Sequence, residues 1–170
     1  MLDDILILNR ADTGRLEYNP EDLNLKMLAG EILNEINKTK SGNNIIDLIV
    51  PEEHLFLHGD KKLIKLILNN LLSNAIKYSP GGEKINFEIL LQDGHIKFII
   101  TDYGLGIPEE DKANLFEQFR RGKNVGSIKG TGLGLAIVKR SVDLHHGRIT
   151  FVSKINEGSA FTVELPVKGE

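Results

Sequence analysis

Apolar residues recur along this chain in two rhythms. Between residues 22 and 40, Leu25, Leu28, Ala29, Ile32, Leu33 and Ile36 fall three and four apart, a single stripe that predicts a helix. Residues 60–77 repeat the pattern with Ile64, Leu68, Leu71, Leu72 and Ala75 and predict a second, buried helix. Alternation takes over in "KINFEILLQ" (84–92) and "HIKFIITDY" (95–103), two strands flanking Asp93–Gly94, a dipeptide suited to a tight hairpin turn. "GRITFVSKI" and "SAFTVELPV" form a last hairpin around "NEG" (156–158), while "NNIIDLIV" (43–50) and "HLFLHG" (54–59) read as short strands about Pro51. "PEEDKANLFEQF" (108–119) opens with Pro108 and acids in its first turn, a helix start, and residues 132–146 are helical again. Helices alternating with antiparallel hairpins predict an α+β fold, a two-layer sandwich with one sheet and helices over a single face.

The first residues behave differently. "MLDDILILNRADTG" carries Leu2, Ile5, Leu6 and Leu8 in helical rhythm, with Gly14 placed as a C-cap and no capping residue ahead of it. That pattern predicts the last turns of a longer helix, followed by a link, "RLEYNPEDLNL", that Pro20 keeps irregular.

Composition narrows the picture. A chain of 170 residues, 41% hydrophobic and 26% charged, suits one globular domain with its own core. Without cysteine there is no disulfide framework, thiolate zinc site or thiol nucleophile. A net charge of −3 gives no support to nucleic-acid binding. No apolar run approaches the roughly 20 residues that span a bilayer, so the chain as given is expected to be soluble.

Three polar clusters carry candidate chemistry. In "NNLLSNAIKYSP" (69–80), Asn70, Asn74 and Lys77 share one helix face at i, i+4, i+7. A solvated edge would look the same. The alternative is a phosphate and magnesium site, where amide oxygens serve as hard neutral ligands and Lys77 as a point charge. In "TDYGLGIP" (101–108) a carboxylate ends a strand and two glycines follow; Asp102 either caps an ordinary turn or accepts a hydrogen bond from an exocyclic amine. In "GTGLGLAIVKR" (130–140), Gly130, Gly132 and Gly134 run into a helix whose first amides attract phosphate. That stretch is neither a P-loop, which needs G-x-x-x-x-G-K-[ST], nor a dinucleotide fingerprint, which must follow a buried strand. Arg120, Arg121, Lys123 and Lys129 lie just ahead of it in an irregular loop with no acidic residue among them.

In this order the clusters resemble the catalytic and ATP-binding domain of bacterial sensor histidine kinases, within the GHKL (Bergerat-fold) superfamily. "NNLLSNAIKYSP" is similar to that family's N box, "DYGLGIP" to its G1 box, "FEQFRR" to its F box, "GTGLGLA" to its G2 box and "GSAFTVELP" to its closing strand. The resemblance covers roughly residues 20–167. It implies a division into the end of the second dimerisation helix and linker (1–17) and an ATP-binding domain (18–170). The implied fold is a mixed sheet with three helices on one face and ATP held beneath a lid.

Residue by residue, the resemblance implies that Asn74 ligates magnesium with Asn70 beside it, that Lys77 meets a phosphate and that Tyr78 lies by the ribose or base. Asp102 would accept from the adenine amino group, with Gly104 and Gly106 close to the base. Arg120 or Arg121 would reach the γ-phosphate, and Phe116 and Phe119 would anchor the lid in the core. Gly130, Gly132 and Gly134 would hinge the lid, and Ile107, Thr131 and Leu133 fall within the same boxes. "LHHGRI" departs from the family's frequent double glycine, so His146 and Arg148 alter that turn.

Relatives of the fold that hydrolyse ATP carry Glu four residues before the metal-binding Asn, whereas this chain has Asn70, an amide without useful basicity. That favours transfer of the γ-phosphoryl group to a histidine over hydrolysis. None of His54, His58, His95, His145 or His146 lies in a context like His-Glu-x-x-Thr-Pro, so all five are expected in surface or core roles. The acceptor would then belong to a dimerisation domain outside this chain, and a response regulator would be the downstream partner. The implied location is cytoplasmic, with no membrane contact by this fragment. The alternative is a non-catalytic, nucleotide-sensing domain of the same fold.

Overall fold

The computed structural model describes residues 6, 7, 9, 17–39, 43–52, 54–82, 84–120, 128 and 130–167. Its elements are β1 (Glu21–Asn24), α1 (Leu25–Thr39), β2 (Ile46–Ile49), β3 (Phe56–Gly59), α2 (Lys61–Tyr78), β4 (Ile85–Gln92), β5 (His95–Asp102), α3 (Glu109–Lys112), α4 (Gly134–Leu144), β6 (Arg148–Lys154) and β7 (Gly158–Pro166). Of the N-terminal helix expected from residue 1, positions 6, 7 and 9 are helical, and the rest, Gly14 included, lies outside the described residues.

Strands β2-β4-β5-β7-β6 form one mixed sheet, with β2 parallel to β4 and the other pairings antiparallel. Register sets its inner face. Phe87 and Phe161 both pair with Ile100, and Ile89 and Val163 both pair with Phe98, so alternate apolar residues of three strands point one way. Leu28, Ala29 and Ile32 of α1, Ile64, Leu68 and Leu72 of α2, and Val138 and Val142 of α4 close over that face in a single core. The opposite face mixes polar residues with Leu90, Ile99 and Val152, and Lys97 and Glu164, register partners on β5 and β7, make an ion pair of 2.9 Å across it.

The expected sandwich is present, with two corrections. A second sheet exists, because β1 pairs antiparallel with β3 from Glu21↔Gly59 to Asn24↔Phe56. "EDLN" has little intrinsic strand preference and becomes one only through that pairing. The helix expected from residue 22 therefore begins at Leu25. The segment expected as one helix from Pro108 to Phe119 is helical only over Glu109–Lys112. Beyond it, Asn114, Leu115 and Glu117 donate to carbonyls three residues back, a tighter winding that stops at Phe119, whose φ is 61°.

Candidate functional site

A cavity of about 490 Å³ opens between α2, the β5–α3 connection and the start of α4. Its size falls in the range typical of small-molecule sites. Asn70, Asn74, Lys77 and Tyr78 line it from α2, the helix whose opposite face supplies the core. Asp60 starts that helix, its Oδ1 accepting from the backbone N of Lys62 and Leu63, a cap worth about 1 kcal/mol. The register of α2 then turns the polar residues toward the cavity.

The orientation of Asn70 is fixed. Its Nδ2 donates to the Leu66 carbonyl at 2.9 Å, so its Oδ1 faces the other way, toward Gly134 at the head of α4. Lys77 Nζ lies 4.9 Å above the Tyr78 ring, a cation–π contact, and a Cβ placed on Gly130 would stand 2.3 Å from that ammonium. An oriented amide oxygen, a second amide one turn on and an ammonium thus face one space.

At the other end of the cavity Asp102 closes β5. It is 6% exposed, its Oδ1 accepts the backbone N–H of Gly104 at 3.0 Å, and it pairs in register with Ser159 of β7. The surrounding wall is apolar, built by Leu71, Ala75, Ile100, Ile107, Leu115 and Phe161. An apolar wall with one buried carboxylate suits a heteroaromatic ring bearing an amino group.

The two glycines after Asp102 have structural duties. A Cβ on Gly104 would stand 2.0 Å from the Tyr78 carbonyl oxygen, and one on Gly106 2.0 Å from that of Lys154. Gly106 also has φ +64°, a left-handed conformation that glycine adopts freely. Gly106 lines the cavity, but Gly104 does not, because it is pressed against the end of α2.

Gly130, Thr131, Gly132 and Gly134 line the cavity where α4 begins. Leu133 turns inward instead, 1% exposed, and packs with Ala136 and Ile137. Arg120 lines the cavity and pairs with Glu117 at 2.9 Å. Arg121, Lys123 and Lys129 lie outside the described residues. The chain returns close to where it left, since a Cβ on Gly132 would stand 2.7 Å from the Arg120 carbonyl oxygen.

The two phenylalanines separate. Phe116 packs on the core with its ring 5.9 Å from Phe151, edge to face, whereas Phe119 is 66% exposed. The winding after α3 runs only to Glu117, and Phe119 has a left-handed backbone that turns its ring out, so Phe119 anchors nothing in the core.

Sequence reasoning missed several cavity residues: Ser159, Glu110, Asp111 and Asn114. Ser159 becomes visible once β7 is aligned on β5, opposite Asp102. Glu110 and Asp111 lie on α3, whose facing toward the cavity no local spacing reports, and Asn114 lies in the tight winding after it. Among the described residues no cluster of three His, Cys, Asp or Glu stands ready to hold a metal. No helix among them is long and apolar enough to cross a membrane.

Residues 59–169 match the family described as Histidine kinase-, DNA gyrase B-, and HSP90-like ATPase. The chain is 36% identical over 171 residues to the adaptive-response sensory kinase SasA of Rippkaea orientalis, covering 98% of this chain and 43% of that protein. The mycobacterial sensor histidine kinase MprB superposes with a TM-score of 0.78 at 28% identity, covering 88% of this chain and all of that structure (100%). Full-length ShkA, in complex with AMPPNP, shares the fold with a TM-score of 0.84 at 23% identity, covering 99% of this chain and 35% of that one. The chain spans less than half the length of the curated relatives it matches.

Proposed function

Since this chain belongs to the histidine kinase-, DNA gyrase B- and HSP90-like ATPase family, we propose that it is the ATP-binding catalytic domain of a two-component sensor histidine kinase. It transfers the γ-phosphoryl group of ATP to a histidine on a dimerisation domain outside this chain, from which a response regulator is served. The parent protein works on this reading with its kinase domain in the cytoplasm.

The observation that carries the reading is the pair Asn70 and Gly134. Where α2 meets the head of α4, the cavity presents a carboxamide oxygen and not a carboxylate. A group without basicity cannot activate water, whereas an imidazole acceptor is already nucleophilic and asks the protein only for positioning and charge neutralisation. The adenine lies in the apolar slot with its amino group on Asp102, and Lys77 and Arg120 meet the phosphates. Backbone amides at the start of α4 add to that charge neutralisation.

Magnesium fits the residues present. Asn74 and Asn70 offer hard amide oxygens to one space, and a cation that keeps waters and takes phosphate oxygens needs no acidic cage. Bound there, the ion would offset phosphate charge.

The test mixes this chain with a separate dimerisation domain and γ-labelled ATP. The expected product is a phosphohistidine, stable to base and labile to acid. ATP binding without transfer would overturn the kinase reading in favour of a nucleotide sensor.

A further inference from the structure

His145 follows the last residue of α4 and is 4% exposed. Its Nδ1 donates to the Ser141 carbonyl at 2.8 Å, and its Nε2 accepts the backbone N–H of Asp60 at 3.1 Å. Because the amide of Asp60 needs an acceptor, the ring is the neutral Nδ1–H tautomer. Asp60 is itself the N-cap of α2, and its Oδ2 accepts the backbone N–H of Asn19 at 2.8 Å. The Tyr18 ring stands edge-on to the imidazole, 5.0 Å away at 90°. One buried ring therefore ties the end of α4 to the beginning of α2, with the incoming chain seated on it.

The cavity lies at the other ends of the same two helices. Asn70 is about 15 Å along α2 from Asp60, and Gly134 a similar distance along α4 from His145, at about 1.5 Å per residue. Near the cavity, the approach of α2 to α4 is set by Asn70 Oδ1 against Gly134. Away from it, the approach is set by His145 against Asp60, with Gly59 allowing contact: a Cβ there would stand 3.3 Å from the imidazole Nε2.

We infer that His145 is a positioning residue for the nucleotide site, pinning the far ends of α2 and α4, and that Tyr18 and Asn19 make this pin sensitive to the segment entering the domain. The inference deepens the nucleotide-binding reading above and rests on it. A helix is stiff over this length, so a change in the angle at the pin reappears at Asn70 and Gly134, where the amide oxygen meets the head of α4. Movement of residues 18–19 toward or away from the domain thus sets ATP affinity without any contact to ATP.

The test compares Tyr18→Ala, His145→Asn and His145→Gln in this chain, reading ATP affinity by calorimetry with magnesium and melting temperature without nucleotide. The oxygen of Gln reaches the place of Nε2 and still accepts from Asp60, whereas the shorter Asn keeps only the bond toward Ser141. Tyr18→Ala and His145→Asn are expected to weaken ATP about fivefold or more, a usual size of coupling, and His145→Gln to stay within about twofold of wild type. The double variant Tyr18→Ala/His145→Asn should bind no worse than the weaker single one. Tyr18 is half-buried and outside the regular elements, so its variant keeps the test informative should an imidazole replacement fail to fold. Unchanged affinity in Tyr18→Ala, or Asn and Gln behaving alike, overturns the inference. A wild-type chain that does not bind ATP overturns the nucleotide reading and this inference together.

Discussion

Asn70 and Gly134 meet across the cavity: the amide oxygen of Asn70 lies 2.6 Å from where a Cβ on Gly134 would stand. The missing side chain is what lets that oxygen reach the head of α4. Alanine is the better helix former by about 1 kcal/mol, so propensity alone would make Gly134→Ala harmless. The methyl group instead displaces the Asn70 carboxamide. ATP affinity is expected to fall about tenfold, 1.4 kcal/mol, while the melting temperature holds. Calorimetry beside a thermal melt checks this, and unchanged affinity would show that Asn70 does not face the ligand.

Asn74 lies one turn beyond Asn70 on the same wall. Asn74→Ala should remove the part of ATP affinity that depends on magnesium and leave the fold intact. Titrations with and without the metal should then coincide for the variant; a variant that still gains affinity from magnesium refutes the assignment.

Asp102 sits where an exocyclic amine can donate to it. Guanine offers a carbonyl there, and two acceptors facing each other repel. Asp102→Ala should erase the preference for ATP over GTP and cost about 1 kcal/mol of stability, because the half-buried N–H of Gly104 loses its acceptor. A variant that still discriminates between the bases would place the contact elsewhere.

Phe116 and Phe119 test the departure from helical spacing. Phe116→Ala should destabilise the domain by about 2 kcal/mol through loss of its packing on Phe151, whereas Phe119→Ala should change stability by under about 0.5 kcal/mol. Urea unfolding of both variants separates them. Equal losses would mean that Phe119 is buried in solution.

How much was legible in the sequence follows from range. The hairpins and the long helices are written in local apolar rhythm, as are Asn70, Asn74 and Lys77 on one face of α2. β1 was invisible because Glu21, Asp22 and Asn24 favour a strand only when β3 lies alongside. Phe119 misled because the regular winding ends before it: the i→i+3 bonds run only to Glu117, and a left-handed backbone at Phe119 (φ 61°) turns its ring away from the face that Phe116 occupies. Gly104 and Gly106 were expected to lie close to the base of a nucleotide. What approaches them is the backbone at Tyr78 and Lys154, and no spacing in the sequence reports a neighbour so far along the chain.

The buried imidazole of His145 is held below its usual 6.5, chiefly by desolvation, with the nearby His146 acting the same way and the Ser141 carbonyl and Asp60 opposing. A depressed pKa means that the unfolded chain takes the proton first, so stability is full above about 6.5 and is lost as pH falls below it toward the folded value. Glu164, lowered by its hydrogen bond to Lys97, loses its contribution only below 4.5. Chemical denaturation between about pH 7.5 and 5 should show wild type weakening and His145→Gln staying level. A matching slope in both would assign the effect to another group.

The chain leaves the pocket at Arg120 and comes back at Gly132 to nearly the same point. Whatever runs between them hangs from a closed neck. Lengthening such a stretch costs about 0.6 kcal/mol per doubling and disturbs nothing beneath it. With both ends already held together, a longer or shorter connection leaves the walls of the pocket where they are, and the domain's stability is nearly indifferent to its length.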